Sequence, residues 1–273
     1  MRVWVDGRVL DDPGQPALSA LDHGVTVGDG VFETVKIIAG GPFALSRHLA
    51  RLCASAAGLG LPAPDDAIIR DAIEQVLRGM HLPLGRLRLT WTGGIAPLGS
   101  ARGDGSGTLT VIADEMSPAE PSTTIATVPW VRNERGAIVG LKTTSYAENV
   151  VALAYARERG ATEAVFANSI GQLCEGTGSN IFVVIDDVLL TPPLVSGCLA
   201  GVSRALVLQW CDALEKELSM DVLRRADEIF LTSTTRDVQP VHRCDSRELD
   251  APGPITKAAI DVWRRNEAAD MDP

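Results

Sequence analysis

The chain has 273 residues, of which 45% are hydrophobic and 22% are charged, and its formal net charge is −10 at pH 7. A chain of this length forms one large domain or two small ones, and this composition is typical of soluble globular proteins, not of disordered or fibrous ones. The negative charge argues against nucleic acid or an anionic membrane as the partner. The sequence therefore predicts a globular protein that acts on a small molecule.

The sequence does not predict membrane insertion, secretion or metal binding. No apolar run reaches the roughly 18 residues that a membrane-spanning helix needs, and the stretch MRVWVDGRVL contains no signal-peptide core. We therefore expect a cytoplasmic protein that does not contact the membrane. The five cysteines lack CxxC spacing and the four histidines lack HxxH spacing, so reduced thiols and no metal site are predicted.

Two hairpins are predicted near the N-terminus. VWV and RVL flank Asp6-Gly7, a dipeptide that readily takes the positive φ of a tight hairpin turn. VFETVKII is an alternating, β-rich run, and PFAL follows it after Gly40-Gly41. The chain is therefore expected to begin with strands.

Helices and further strands are predicted in the rest of the first half. Ser46 is the expected N-cap of a helix that ends near Gly58, because apolar residues then recur at helical spacing. The same pattern predicts a helix over 65–79. RLRLTWT and TLTVIAD are predicted strands, and the glycine-rich stretch 93–107 is a predicted loop between them.

A linker is predicted at 114–122, where Pro, Ser and acidic residues lie between two β-rich runs. We therefore expect an N-terminal α/β domain over 1–113 and a C-terminal α/β domain over 123–273. The predicted strands of the second domain are TTIATV, AIVGLK, EAVFAN, NIFVVI, VLLT, MDVLRR and EIFLTS. Its predicted helices span about 145–159, 202–217 and 254–265, and the tail NEAADMDP is expected to be mobile.

Lys142 is the candidate nucleophile among the four lysines. Lys36, Lys216 and Lys257 lie in patterns typical of solvated amines. Lys142 follows the apolar run AIVGL, and a lysine at the end of a buried strand loses hydration, which favours the neutral amine that Schiff-base chemistry needs. A strand-end lysine that reaches out to water is the alternative interpretation.

Glu175 is the candidate buried carboxylate, because it follows a short apolar strand in LCEGTGSNIF. One interpretation is that it accepts hydrogen bonds from turn amides. The other is that it pairs with a pyridine-type nitrogen and keeps that ring protonated, so that the ring can accept electrons from a carbanion.

A phosphate site is predicted from three segments. In GCLAGVSR, Val202 and Ser203 begin an amphipathic helix whose free N–H groups and dipole favour an anion, with a plain N-cap as the alternative. LTSTTRD is a hydroxyl cluster that includes Ser233 and Thr234, and Arg51 in SRHLARL supplies a guanidinium. A lysine, a carboxylate, an anion site and an arginine together match an aldehyde cofactor with a phosphate tail, and the combination points to pyridoxal phosphate.

The motifs GDGVFETVKI, SRHLARL, GLKTTSY, EAVFAN, LCEGTGSNIF, GCLAGVSR and LTSTTRDVQPV occur in this order. Their order and spacing resemble the class IV aminotransferase family, the fold type IV pyridoxal-phosphate enzymes, over nearly the whole chain. Members include D-amino-acid and branched-chain aminotransferases and 4-amino-4-deoxychorismate lyase. The resemblance implies a homodimer of two-domain α/β (α+β) subunits with the cofactor at the domain interface.

The resemblance also implies roles for individual residues. It implies that Lys142 joins the cofactor as a Schiff base and moves the substrate proton, that Glu175 pairs with the ring nitrogen, and that Arg51 holds the phosphate. The further implied contacts are Tyr146 with the phenolic oxygen, Leu199 with the ring, and Val202, Ser203, Ser233 and Thr234 with the phosphate.

The substrate site departs from the best-known D-amino-acid pattern. The Arg and His that such enzymes use for the substrate carboxylate are replaced by Leu98 and Ser100, and their Tyr is replaced by Phe32. The stretch IAPLGSARGDG resembles the lyases instead. The candidate carboxylate partners are then Arg88, Arg102 and Arg135. Each of these arginines is also typical of a plain surface charge.

We therefore hypothesise a ping-pong aminotransferase that takes an amino group from a D-amino acid, or a related primary amine, and gives it to a 2-oxo acid. The alternative is 4-amino-4-deoxychorismate lyase, which forms 4-aminobenzoate and pyruvate. A non-catalytic relative of the fold is the remote alternative.

Overall fold

The computed structural model describes residues 1–103 and 105–273, which form two compact units. Unit 1 consists of Met1–Pro118, Leu141–Tyr146 and Met271–Pro273, and unit 2 consists of Ala119–Gly140 and Ala147–Asp270. The C-terminal domain predicted over 123–273 is therefore interrupted, because its residues 141–146 and 271–273 belong to unit 1. As a result, Lys142 belongs to unit 1.

Unit 1 contains an antiparallel sheet with helices packed against it. Its strands are β1 (Arg2–Val5), β2 (Arg8–Val9), β3 (Gly30–Ile38), β4 (Gly41–Pro42), β5 (Leu84–Thr92) and β6 (Thr108–Glu115). Within the described residues they lie in the order β2-β1-β6-β5-β3-β4. The helices of unit 1 are α1 (His23–Thr26), α2 (Leu45–Leu59) and α3 (Asp66–Leu77).

The core of unit 1 is the apolar layer where the sheet meets α2 and α3. The helices contribute Leu52 and Ile69, each 1% exposed, and the sheet contributes the fully buried Val35, Leu87 and Leu89. Each such side chain stabilises the fold by about 2 kcal/mol through its removal from water. This layer fixes the backbone of β3 and α2.

Both predicted N-terminal hairpins are confirmed. β1 and β2 are antiparallel, and Asp6 and Gly7 between them have φ values of 40° and 96°. These positive values match the turn that an Asp-Gly pair favours. β3 and β4 form the second hairpin, but β4 is Gly41–Pro42, so only the first residue of the predicted return strand PFAL lies in a strand.

The limits of α2 differ from the prediction. Ala44, in the left-handed conformation, is the N-cap, so Ser46 lies inside the first turn, where its N–H and hydroxyl bond to the Asp272 carboxylate. The helix continues past Gly58 and is ended by Gly60, which has a φ of 75°. The tail NEAADMDP, which was expected to be mobile, is therefore ordered, because its first four residues continue the helix Pro254–Ala269 and its last three belong to unit 1.

Unit 2 contains a larger, mixed sheet. Its strands are β7 (Thr123–Arg132), β8 (Glu163–Asn168), β9 (Leu173–Gly176), β10 (Asn180–Ile185), β11 (Val188–Thr191), β12 (Ala213–Glu215), β13 (Glu228–Ser233), β14 (Asp237–Cys244) and β15 (Arg247–Glu248). Among the described residues the path is β12-β11-β10-β13-β14-β7-β8-β9, and β15 pairs with β14. β7 runs parallel to β8 and β14, whereas β10 is antiparallel to β11 and β13.

The helices of unit 2 are α4 (Ala147–Glu158), α5 (Val202–Trp210), α6 (Val222–Arg225) and α7 (Pro254–Ala269). The core of the unit includes the fully buried Ile125, Val165, Leu173 and Ile181. The predicted mixed α/β class is confirmed. Of the helices described, including the 16-residue α7, none combines the length and apolarity needed to cross a membrane.

Three predictions for unit 2 are wrong. AIVGLK is not a strand, because residues 134–140 form turns and bends in which apolar side chains are exposed. The helix predicted over 202–217 ends at Trp210, since the following residues form β12 beside β11. MDVLRR forms the short helix α6, whose apolar side chains are buried in the core.

Candidate active site

The segment that carries Lys142 is attached to β3 and α2 by its backbone. The Phe32 N–H donates to the Lys142 carbonyl oxygen at 2.9 Å, and the Lys142 N–H donates to Ser55 Oγ at 3.2 Å. Thr143 then pairs with Val31 in an isolated bridge. These contacts fix the main chain on both sides of Lys142. Its position is set by tertiary contacts and not by the strand that the sequence predicts.

The Lys142 side chain lies beside the buried ring of Phe32. Lys142 Nζ is 4.4 Å from the ring centroid, and Arg88 Cζ is 3.4 Å from the same centroid. Tyr146 meets Phe32 edge to face, with ring centroids 5.3 Å apart. Because an aromatic face attracts cations, Phe32 helps to place both cationic side chains. The structure thus brings four predicted residues together in unit 1.

Arg51 is held by a buried carboxylate that the sequence analysis misses. Glu33 is fully buried, and its two oxygens accept hydrogen bonds from Arg51 Nε and Nη2, each at 2.7 Å. Burial acts to raise the pKa of Glu33, but the charge and hydrogen bonds of Arg51, aided by His48, lower it to about 2. Glu33 is therefore an anion whose forked contact fixes the plane of the Arg51 guanidinium.

His48 completes this group, with Nδ1 at 2.7 Å from Glu33 Oε2. The pKa of His48 is lowered, chiefly by burial and further by the charges of Arg51 and Lys142. The contact with Glu33 acts in the opposite direction and does not outweigh them. An ionised carboxylate can only accept a hydrogen bond, so we assign the proton of the neutral His48 ring to Nδ1. Two sequence signals identify this group: an acid inside the apolar strand GVFETV, and a His and an Arg three residues apart on one helix face.

Arg88 is the candidate carboxylate partner that lies beside Lys142. It stands opposite Thr34 in the sheet, and its Nη1 donates to the Thr34 hydroxyl at 3.2 Å. Burial lowers the pKa of Arg88 to about 10, although nearby Tyr146 and Glu33 act to raise it. Arg88 thus stays charged at neutral pH while partly shielded from water, which strengthens its attraction for an anion.

Arg102, a candidate partner of the substrate carboxylate, is instead bound to residues of its own chain. It donates to both carboxylate oxygens of Asp29, at 2.7 and 2.6 Å, and to the carbonyl oxygens of Leu59 and Gly60. The hydrogen bonds from Arg102 are the largest cause of a lowered pKa for Asp29. Its guanidinium therefore attaches Arg102 to Asp29 and to the end of α2 and is committed to these partners.

The remaining substrate candidates lie at the surface. Leu98 is 79% exposed, and Ser100 is also exposed. Arg135 in unit 2 has a side chain that is 85% exposed and a loose ion pair with Glu134 at 3.9 Å. A pair of that kind contributes little to stability, so Arg135 fits the surface-charge alternative.

In unit 2, Glu175 and Leu199 are joined by a hydrogen bond. The Leu199 N–H donates to Glu175 Oε2 at 2.9 Å, and the Leu199 carbonyl accepts from Asn180 Nδ2 at 2.9 Å. Arg132 Nε lies 3.3 Å from Glu175 Oε1, and the Glu175 side chain is 13% exposed. Glu175 is therefore an oriented group, largely removed from water. The sequence analysis misses Arg132, because WVR has the pattern of an ordinary strand end.

The N-terminus of α5 is not capped by a side chain. Gly201 is its N-cap, and no side chain there bonds to the helix. A Cβ on Gly201 would stand 2.0 Å from Asn180 Oδ1, so a larger residue does not fit without a shift. The first-turn N–H groups of Val202 and Ser203 lack the partners that residues inside a helix have, and with the helix dipole they favour an anion.

Three hydroxyls of unit 2 complete the predicted phosphate contacts. Ser203 is 6% exposed, Ser233 ends β13, and Thr234 follows in the turn. Within the part of the chain that the structure describes, the hydroxyls of these residues make no hydrogen bond. They remain able to donate to a ligand oxygen.

Comparison with known families gives a match over most of the chain. The family model for class IV amino-transferases matches residues 30–244, which include Lys142, Glu175 and the N-terminus of α5. The match confirms the resemblance found in the sequence. Enzymes of this family use pyridoxal 5′-phosphate.

Named relatives cover nearly the same length. A D-alanine aminotransferase of Bacillus licheniformis is 32% identical, over 94% of this chain and 94% of its own. A bifunctional aminodeoxychorismate lyase / D-amino acid transaminase of Mycobacterium tuberculosis is 31% identical, over 91% of this chain and 93% of its own. These identities establish the family and leave the substrate open.

A solved structure extends the comparison to the fold. The crystal structure of a branched-chain aminotransferase from Thermoproteus uzoniensis, with norvaline, is similar with a TM-score of 0.90 and 30% identity, over 97% of this chain and 94% of that one. This similarity confirms the fold type IV architecture. The chain therefore belongs to the class IV aminotransferase family of pyridoxal-phosphate-dependent transaminases.

Proposed function

We propose that this protein transfers an amino group from a D-amino acid, or a related primary amine, to a 2-oxo acid by a ping-pong mechanism. The observation that carries the proposal is the Lys142 amine, held 4.4 Å from the Phe32 centroid on a main chain fixed by Phe32 and Ser55. D-amino acids are proposed as donors because the Bacillus and Mycobacterium relatives are named for them, and branched-chain amino acids, for which other relatives are named, are the competing donors.

The residues present fit pyridoxal phosphate, since the chain offers a lysine amine, an oriented carboxylate and an uncapped helix N-terminus. When bound, this group supplies an aldehyde for amines and a ring that withdraws electrons from the substrate Cα. We propose that Lys142 is the point of covalent attachment. With an amine substrate in its place, Lys142 Nζ would take the proton from the substrate Cα and deliver it to the carbon that was the aldehyde carbon of the cofactor.

The second half of the proposed reaction uses the same groups in reverse. Lys142 Nζ returns a proton to the Cα derived from the 2-oxo acid, and the product amine leaves when Lys142 takes its place again. Glu175 holds a proton on the ring nitrogen throughout, with Leu199 N–H fixing its carboxylate. Tyr146 is proposed to contact the phenolic oxygen, and the Leu199 side chain to pack on the ring.

Several groups are proposed to contribute to binding of the phosphate. Arg51, oriented by Glu33, supplies the charge. The N-terminus of α5 supplies the first-turn amides and the helix dipole. The side-chain and backbone donors proposed here are Val202, Ser203, Ser233 and Thr234. A phosphate would satisfy the hydroxyls that make no hydrogen bond within the described residues.

Arg88 is proposed as the partner of the substrate carboxylate. It is the arginine whose guanidinium lies on the same Phe32 ring as the Lys142 amine. A carboxylate bound there would place the neighbouring Cα toward Lys142, which a proton transfer requires. Replacing Arg88 by Lys keeps the charge and removes the fork, so KM for the amino donor should rise by about tenfold, while cofactor binding stays unchanged.

The lyase is the second candidate. The bifunctional name of the Mycobacterium relative, together with the stretch IAPLGSARGDG, supports it. The same proton removal by Lys142 would then be followed by release of pyruvate and 4-aminobenzoate. A non-catalytic role is the remaining alternative, and retention of both Lys142 and Glu175 argues against it.

Incubation with a panel of substrates tests these alternatives. We expect purified enzyme, D-alanine and 2-oxoglutarate to give pyruvate and glutamate, with little product from L-leucine as donor. Aminodeoxychorismate is the second arm, and 4-aminobenzoate formed there without transamination in the first would make the lyase the main activity. L-leucine as the best donor would assign the enzyme to branched-chain substrates, and no product in any arm would support the non-catalytic alternative.

We also propose that the protein works as a cytoplasmic homodimer, on the strength of the family resemblance. Exposed apolar side chains of unit 1, including Leu21, Val25 and Ile95, offer a surface for a second copy. Light scattering after gel filtration should then give twice the chain mass of 28.9 kDa. A mass equal to one chain would reject the dimer.

A further inference from the structure

Arg132 makes several contacts around Glu175 in unit 2. Its Nη1 and Nη2 donate to Glu148 and Asn149 at the start of α4, and its guanidinium carbon lies 4.2 Å from the centroid of Phe166. Its Nε is 3.3 Å from Glu175 Oε1. The guanidinium is thus oriented by a helix, an aromatic face and a carboxylate at once, and its side chain is 15% exposed.

The contact between Arg132 and Glu175 is an ion pair without a directed hydrogen bond. Arg132 Nε is buried, and it has no hydrogen-bond partner among the described residues, even though Glu175 Oε1 is close to it. Coulomb attraction depends on distance, whereas a hydrogen bond also needs alignment. Arg132 therefore acts on Glu175 through its charge and its distance, and not through an aligned hydrogen bond.

The two buried thiols near Glu175 do not replace this cation. The thiols of Cys174 and Cys198 also face Glu175, and burial raises the pKa of both, so they are uncharged at neutral pH. Glu148 binds the outer side of Arg132 and is 51% exposed, so water screens its charge. Arg132 is thus the charge that acts on Glu175 from the end of β7.

We propose that Arg132 is a positioning residue that limits how firmly Glu175 retains a proton on the ring nitrogen of the cofactor. The inference rests on the proposed function, in which Glu175 pairs with that nitrogen. A carboxylate that already faces one cation attracts a second one less strongly. Arg132 would therefore moderate the electron withdrawal that the ring exerts on the substrate, without contacting substrate or cofactor itself.

The test uses holoenzyme reconstituted with pyridoxal phosphate that carries ¹⁵N in its ring. The ¹⁵N chemical shift reports the protonation of the ring nitrogen as pH is varied. In Arg132→Met we expect the ring to keep its proton to a pH about 1 unit higher than in the wild type, because the competing cation is gone. Glu148→Gln should move the transition in the opposite direction by a smaller amount, because it leaves the charge of Arg132 less compensated.

Matched controls separate this role from a purely structural one. Arg225→Gln removes an exposed arginine of unit 2 that pairs with Asp221, and it should leave the ¹⁵N transition unchanged. If Arg132→Met does not fold, the shift in Glu148→Gln carries the test. A transition that stays at the wild-type pH in every folded variant would overturn the inference. Wild-type protein that binds no labelled cofactor would overturn the proposed function instead, so the two failures are distinguishable.

Discussion

Unit 1 and unit 2 each contain residues that are proposed to contact the cofactor, and the internal contacts of those residues differ. In unit 1 the charges near Lys142 are paired with one another, because Glu33 accepts two hydrogen bonds from Arg51 and a third contact from His48. In unit 2 the α5 N-terminus has no side-chain cap, and the hydroxyls of Ser203, Ser233 and Thr234 make no hydrogen bond among the described residues. Unit 1 is therefore ordered by its own contacts, whereas unit 2 leaves donors for a ligand.

This difference determines what a substitution does in each unit. Removing one member of a buried charge group leaves its partner desolvated and unpaired, which costs stability as well as function. Removing a hydroxyl that has no internal partner costs the fold little and weakens the bound ligand. Variants of unit 1 should therefore change both folding and binding, and variants at the α5 N-terminus should change binding alone.

The largest effect is expected at Lys142. Lys142→Ala should lower the rate of transamination by at least about 10³-fold, because it removes the nucleophile and the base together. Lys257→Ala, at an exposed position of α7, is the matched control and should retain wild-type turnover. Initial rates with the preferred amino donor measure both variants. Turnover in Lys142→Ala close to that of the control would remove Lys142 from the mechanism.

A large effect on stability is expected at Glu33. Glu33→Gln leaves the Arg51 guanidinium, only 12% exposed, without its anion, and the free energy of unfolding should fall by about 3 kcal/mol. Urea denaturation of the apo protein measures this change. Glu74→Gln removes an exposed carboxylate paired with Arg78 and should change stability little. Equal, small losses in both variants would contradict the view that unit 1 is ordered by its own charges.

The contribution of the Glu33 carboxylate to stability should also depend on pH. The pKa of Glu33 is about 2 in the folded protein and 4.5 for the unperturbed group, so unfolding takes up a proton as pH falls. Its contribution is complete above about pH 4.5 and is lost as pH falls toward 2, a change of about 3 kcal/mol at most. Unfolding free energies of wild type and Glu33→Gln should therefore converge as pH falls from 5 to 2. Curves that remain parallel would exclude this carboxylate as the cause.

A smaller effect, confined to binding, is expected at Ser203. Ser203→Ala should raise the dissociation constant for pyridoxal phosphate by about five- to tenfold, as one hydrogen bond to a charged group is lost. Its unfolding midpoint without cofactor should match that of the wild type. Ser246→Ala, at an exposed turn in unit 2, is the control and should leave both quantities unchanged. Loss of apo stability in Ser203→Ala would break the distinction between the two units.

Local features of the chain were predicted well from the sequence. The Asp6-Gly7 hairpin and the helix predicted over 65–79 depend on neighbouring residues, and both are present, the helix as α3 with Asp65 as its N-cap. AIVGL was predicted wrongly, because a short apolar run has the same pattern in a strand and in an exposed turn. The N-cap of α2 was also predicted wrongly, since Ser46 bonds to Asp272, a residue distant in sequence.

For the candidate site, the sequence pointed to the residues and not to their partners. Lys142, Arg51 and Glu175 follow from motif resemblance, and their roles stay predictions. Glu33 and Arg132 were missed, because a charged residue inside a strand looks like an alternating exposed one until the fold buries it. Only tertiary structure shows that Arg102, considered for the substrate, is bound to its own chain.

The central claim is that the Lys142 amine is covalently joined to pyridoxal phosphate. The direct measurement is borohydride reduction of the purified or reconstituted protein, followed by proteolysis and mass spectrometry of the peptides. The account predicts a pyridoxyl group on the peptide that contains Lys142, and none on peptides with Lys36, Lys216 or Lys257. A pyridoxyl group on another lysine, or no modified peptide after reconstitution with excess cofactor, would contradict the account.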